Sequence, residues 1–261
     1  MLTEIKDGYV KTDREHGIVT IEFYHPQGNS LPGQLLEALA QTIHAEGINP
    51  QTKVIILRSG GESIFCSGAS FDELASIKTE KEGQQFFTGF SKVINAMRKA
   101  PKFIVVRVQG KCVGGGVGIV AAADYAIAVE GCDVKLSELS VGIGPFVVGP
   151  AVERKIGLSP FTQLAIDSHM WRTGDWARRK GLYAELHPNM ESMDESIIRL
   201  TNHLASSGME AMAEMKKMFW KGTEHWDDLL KERAAISGRL ILSPQSKAYI
   251  QKFKDKTKAK S

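Results

Sequence analysis

The groups in this 261-residue chain that can do chemistry are one carboxylate set among apolar positions and two glycine-containing turns. In Asp133-Val134-Lys135-Leu136-Ser137-Glu138-Leu139, strict alternation puts Val134, Leu136 and Glu138 on one strand face. A carboxyl held among apolar side chains is desolvated, its pKa rises toward neutrality, and it can then take up and return a proton near pH 7. The alternative is that the strand stops at Leu136, leaving Glu138 exposed at the start of a helix.

The first turn is Gln109-Gly110-Lys111-Cys112-Val113-Gly114-Gly115-Gly116-Val117-Gly118, which joins a buried strand to a short apolar helix. Free N–H groups at a helix start favour negative charge, and glycine lets a ligand approach without a Cβ in the way. A tight packing turn explains the same glycines. So does a dinucleotide fingerprint, Gly116-x-Gly118-x-x-Ala121, with Glu138 as the ribose acid. Against the fingerprint, Gly115 and Tyr125 are about nine residues apart, short for a parallel crossover. Glu130, the acid that ends the next strand, also comes too soon after the glycines. The second turn, Phe65-Cys66-Ser67-Gly68-Ala69-Ser70-Phe71, follows another buried strand, and Ser70 with Glu73 has capping-box spacing. Both turns are therefore expected at the same end of one sheet, where α/β folds place ligands.

These turns need strands and helices to hold them. Alternation over 8–14 and 18–23 predicts a hairpin, and Leu35, Leu36, Leu39 and Ile43 share a helical face that stops at Gly47. Val54-Ile55-Ile56-Leu57, 103–108 and 125–129 read as strands buried on both faces, with an amphipathic helix through Phe86, Phe87, Phe90, Ile94 and Met97 between the first two. Strands alternating with helices make an α/β domain over 1–195. From about residue 160 the pattern is helical with no strand signal, and Met209, Met212, Met215 and Phe219 form a core stripe in a helical region over 196–261.

Composition narrows the partners. A net charge of +3, with the basic excess between Lys247 and Lys260, does not argue for nucleic acid, and no apolar run is long enough to span a membrane. The N-terminus has no secretory pattern, and Cys66, Cys112 and Cys132 form no C-x-x-C pair, so a cytoplasmic protein with reduced thiols is expected. Seven histidines without ligand spacing predict no metal. Among them, His25 reads as a solvated loop residue. Trp171, Trp176, Trp220 and Trp226 read as packing between subunits.

Phe65-Cys66-Ser67-Gly68-Ala69-Ser70, Gln109-Gly110-x-x-x-Gly114-Gly115-Gly116, Glu138 and Thr173-Gly174-Asp175-x-Ala177-x-x-x-Gly181-Leu182 resemble, in order and spacing, the motifs of the enoyl-CoA hydratase/isomerase (crotonase) family. Asn29-Ser30-Leu31 and Tyr249-x-x-Lys252 resemble its early loop and C-terminal segment. The resemblance implies a crotonase-like core of repeated strand-strand-helix turns, a homotrimer or homohexamer built through the helical C-terminal region, and an acyl-CoA thioester substrate with no other cofactor. It also implies that the backbone N–H groups of Ser67 and Gly115 form an oxyanion hole, with Glu138 as the acid/base. Substrate contacts are expected from His25, Asn29, Gly68, Ala69, Ser70, Phe71, Gly114, Gly118, Phe146 and Lys252, with Phe146 narrowing the acyl pocket. Two departures matter. Gly118 stands where two-glutamate hydratases carry their other acid/base, and Ser70 replaces the usual aspartate. One carboxylate suffices to move a proton from C2 to C4, so double-bond isomerisation suits these residues better than hydration; decarboxylation, thioester hydrolysis and a non-catalytic acyl-CoA-binding or scaffold role are the other options.

Overall fold

The computed structural model describes residues 1–258, with side chains described through Asp255. The chain opens with β1 (Leu2–Ile5), β2 (Gly8–Glu15), β3 (Ile18–Tyr24), β4 (Ser30–Leu31) and α1 (Gly33–Ile48). It continues through β5 (Val54–Ser59), β6 (Ile64–Cys66), β7 (Gly68–Ala69), α2 (Phe71–Ser76) and α3 (Glu80–Lys99). Then come β8 (Phe103–Val108), β9 (Lys111–Val113), α4 (Gly115–Ala122), β10 (Tyr125–Val129), β11 (Val134–Lys135) and a single 3-10 turn, Leu139–Val141. Helices α5 (Gly149–Ile156), α6 (Leu158–Ile166) and α7 (Gly174–Arg179) lead to β12 (Glu185–His187), followed by α8 (Met190–Ser206), α9 (Met209–Phe219), α10 (Trp226–Leu240) and α11 (Pro244–Lys258).

Seven strands form the main sheet in the order β1-β2-β3-β5-β8-β10-β12, antiparallel through β3 and parallel from there on. The central strands β5, β8 and β10 are almost entirely buried, which is why their sequences are near-continuous runs of Val, Ile and Ala. After each of them the chain turns into a short strand of a second sheet, β11-β9-β6, before a helix begins. This gives the repeated strand-strand-helix turn. It also brings the two glycine-bearing turns together, since β6 and β9 run parallel and the turns after them leave from the same end.

The helices are built on local signals. Thr79 and Glu82 form a reciprocal capping box at the start of α3. At α2, Ser70 accepts from the Glu73 N–H at 3.4 Å, but the carboxylate of Glu73 does not return to the cap. It accepts instead from the Gly33 N–H at 2.6 Å and so caps α1. Lys216 on α9 is buried, and its ammonium donates to the carbonyls of Met97 and Lys102 and to Asp124 Oδ2 at 2.6 Å. Trp220 Nε1 donates to the other oxygen of Asp124, which fixes α9 against the end of β8.

Several expectations change here. The region after residue 160 does contain a strand, β12, parallel to β10. It is three residues long and half-buried throughout, so it offers neither alternation nor an apolar run. The boundary at 195/196 falls inside α8, which packs on β3, β5, β8, β10 and β12 and belongs to the core layers. Of the methionine stripe, Met212 is buried while Met215 and Phe219 are 44% and 43% exposed, so only part of it is core. Trp220 and Trp226 meet edge to face within the chain, with Arg154 over the Trp220 ring, rather than waiting for another subunit. The crossover from β8 to β10 is parallel despite the short α4, because it also includes the excursion through β9.

Candidate active site

Gly114, with φ of +52°, makes the turn from β9 into α4, a backbone geometry that glycine adopts readily. Gly115 is the first residue of α4, so no carbonyl one turn earlier in the helix can take its N–H, and the helix dipole adds to its pull on negative charge. A Cβ on Gly115 would lie 2.8 Å from Cδ1 of Phe90 on α3, so the backbone here is held against an aromatic wall.

Facing this turn is the 67–69 segment. The N–H of Ser67, expected as the second donor, is given to the Gly28 carbonyl at 3.1 Å, and its hydroxyl to the Gln27 carbonyl at 3.3 Å. Ala69 supplies a free donor instead. Its parallel pairing with Leu31 must run through Leu31's own N–H and C=O, because Pro32 has no N–H to give, and in such a rung the partner's amide groups face away. Ala69 lines the same pocket as Gly115, and a Cβ on the intervening Gly68 would lie 3.6 Å from the Gly115 nitrogen. Two backbone donors thus converge where the turns meet.

Glu138 stands across from them. The strand predicted to carry it ends at Lys135, and Glu138 has helical dihedrals at the head of the 3-10 turn, where its carbonyl accepts from Val141 and Ile143. Both sequence readings were partly right: the strand stops early, yet the side chain points inward. The Glu138 Oε2 atom is buried with no hydrogen-bond partner among the described residues. Burial raises its pKa from 4.5 to about 7, only partly opposed by its own backbone N–H. A Cβ on Gly114 would come within 2.9 Å of Glu138 Oε1, so the carboxylate lies directly against the glycine turn.

The pocket holding these groups encloses about 560 Å³, including the part open to solvent. Apart from Ser67, Ser137 and Ser237 its other walls are apolar: Phe71 and Leu74 from α2, Phe87 and Phe90 from α3, Val141 at the end of the 3-10 turn, and Ile143 through Val148 after it. An oxygen seated on two N–H donors, with a near-neutral carboxyl beside it, is an arrangement that stabilises an enolate and moves a proton on the adjacent carbon.

The model of the family described as enoyl-CoA hydratase/isomerase matches residues 13–260. The chain belongs to the enoyl-CoA hydratase/isomerase family. It is 24% identical over 243 residues to a probable enoyl-CoA hydratase of Bacillus subtilis, covering 92% of this chain and 93% of the relative. It is 26% identical over 217 residues to the mitochondrial methylglutaconyl-CoA hydratase of Mus musculus, covering 81% and 68%. The structure of an enoyl-CoA hydratase from Bacillus halodurans superposes with a TM-score of 0.85 at 22% identity, covering 93% of this chain and 99% of that one. The fold is that of crotonase, and the family to which the chain belongs is one of hydratase and isomerase enzymes.

Within that family frame, the remaining candidates divide. Gly68, Ala69, Phe71, Gly114, Gly115, Glu138 and Phe146 line the pocket. Gly118 is not among the lining residues, because a Cβ there would sit 2.7 Å from Val148 Cβ and nearer still to its Cγ1: the valine fills the place a side chain at 118 would take. Asn29 is committed to the fold. Its amide donates to the carbonyls of Gly60 and Ile64 at 2.8 and 2.9 Å and accepts from the His25 N–H. His25 is buried rather than solvated, with Nδ1 3.0 Å from the Ser30 hydroxyl, and burial lowers its pKa. It lines a separate polar groove with Lys6, Asp72 and Ser70. Ser70 caps α2 from a buried position, and Lys252 is exposed on α11 and lines neither the pocket nor the groove. The neighbours of Lys252 are what reach the site: Phe253 stacks on Phe71 at 4.0 Å, and Lys254 pairs with Asp72 at 3.1 Å. Sequence reasoning did not place Val148 against position 118, and it missed Ala69 as a donor although Pro32 was a visible clue.

Proposed function

We propose that the enzyme isomerises a 3-enoyl-CoA to a 2-enoyl-CoA with Glu138 as its one acid/base. The observation that carries this reading is that Glu138 is the only ionisable side chain lining the pocket among the described residues. The thioester oxygen sits on the N–H groups of Ala69 and Gly115. Glu138 as carboxylate takes a proton from C2, and the electron pair spreads over the dienolate onto that oxygen, where two fixed donors supply a term of several kcal/mol. The protonated Glu138 then returns the proton at C4, leaving the double bond between C2 and C3 and the base restored. A pKa near the working pH suits both half-steps.

Hydration of a 2-enoyl-CoA is the second reading, favoured by the names of the relatives. It needs a water deprotonated on one side while a proton is delivered on the other, and Val148 occupies the space from which a second acid at position 118 would act. The deciding test is a paired assay with 3-enoyl-CoA and 2-enoyl-CoA beside Glu138→Gln. Isomerisation that disappears in the variant, with little hydration in either protein, supports the one-base mechanism. Native hydration as fast as isomerisation refutes it.

A further inference from the structure

Resting on the acyl-CoA reading, we infer that the acyl group this pocket takes is neutral and apolar, with no second charge. The walls that would surround it are Phe87, Phe90, Val141, Ile143, Phe146 and Val148, and the lining has no Lys, Arg or His among the described residues. A carboxylate at the far end of the acyl group would therefore be desolvated without a counter-ion, which is the costly way to bury a charge.

The polar groups at hand do not compensate. The pocket's serines are Ser67, Ser137 and Ser237; Ser67 gives its hydroxyl proton to the Gln27 carbonyl and Ser237 to the Arg233 carbonyl, which leaves Ser137 alone. Nearby cations are engaged elsewhere. Lys254 pairs with Asp72, and Lys111 and Lys135 lie over the face of the Trp171 ring. A second carboxylate would also share the enclosure with Glu138, and like charges in one site hold a proton on one of them, which would remove the base.

Hexanoyl-CoA and adipoyl-CoA test this directly, because they share the coenzyme and the chain length and differ in a terminal methyl against a terminal carboxylate. Calorimetric titration of the full chain at pH 7.5 should give adipoyl-CoA a Kd at least ~100-fold weaker, about 2.8 kcal/mol at 1.4 kcal/mol per decade. Phe146→Arg, which sets a cation in the wall, should close that gap by ~10-fold or more. Adipoyl-CoA binding within about threefold of hexanoyl-CoA overturns the inference, and so does a preference that Phe146→Arg leaves unchanged. If neither thioester binds, the acyl-CoA reading itself fails and takes this one with it.

Discussion

Gly118 invites a substitution whose outcome the packing decides. On helix propensity alone, Gly118→Ala should stabilise α4 by roughly 1 kcal/mol. The structure reverses the sign. Apolar carbons touch at about 3.5–4.0 Å, whereas an added Cβ would lie 2.7 Å from Val148 Cβ, with Cγ1 closer. Val148 is 4% exposed and lines the pocket, so the ~1 Å it must yield is taken from its own packing and from the pocket. Overpacking of that kind costs about 1–3 kcal/mol, for a net loss of roughly 0–2 after the helix gain. Val148→Ala alone removes two methyl groups and leaves a cavity, about 2–3 kcal/mol. Together, the new methyl at 118 takes the space of the lost Cγ1 while still meeting the Cβ that alanine keeps at 148, so the double variant should cost roughly 1 kcal/mol less than the sum of the singles. Urea unfolding at one fixed protein concentration measures all four corners of the cycle. A Gly118→Ala protein more stable than the parent, or costs that simply add, would refute the claim that Val148 closes this position. The same geometry predicts function: Gly118→Glu alone should misfold or distort α4, while Gly118→Glu with Val148→Gly makes room for a second carboxylate and should raise hydration of 2-enoyl-CoA above the parent.

Two further outcomes follow from buried charge. The raised pKa of Glu138 means the folded protein holds a proton that the unfolded chain releases above its ordinary value of 4.5, so stability drains away as pH rises from about 4.5 through about 7. Glu138→Gln, which never ionises, should match the parent near pH 4 and exceed it at pH 8 by up to about 3 kcal/mol, at 1.36 kcal/mol per pKa unit, while losing activity; equal stability at pH 8 would show that the carboxylate is solvated. Lys216→Met should cost about 3 kcal/mol, because it takes the ion-pair partner from a buried Asp124 carboxylate that keeps only the N–H groups of Ile104 and Trp220, and Lys216→Met with Asp124→Leu should recover part of that; a loss under about 1 kcal/mol would mean the pair is dispensable.

What the sequence made legible, and what it hid, divides along a physical line. β5, β8 and β10 could be read because strands buried on both faces must be apolar at every position, and α3 because one buried face repeats every turn. β12 could not, since three half-buried residues at a sheet edge satisfy no periodicity. Within the site, the glycine turns were legible as backbone requirements, but which N–H is free is a property of pairing. Ser67 loses its donor to a carbonyl 39 residues earlier, and Ala69 keeps its own because the strand beside it ends in proline. Val148 was invisible for the same reason: it meets α4 only after the chain has passed through β10, β11 and the 3-10 turn.

Glu138 shows how the two kinds of information join. Alternation pointed to an inward carboxylate by assuming a strand that in fact stops at Lys135, and helical dihedrals then turn the side chain inward by another route. What lets it stay there is Gly114. The absence of a Cβ, 2.9 Å from where Oε1 lies, allows the carboxylate to rest against the turn that presents the Gly115 N–H. One glycine turn thus presents a donor on a main-chain nitrogen and clears the space that places the proton carrier beside it, so the run Gly114-Gly115 and the distant Glu138 are a single functional unit.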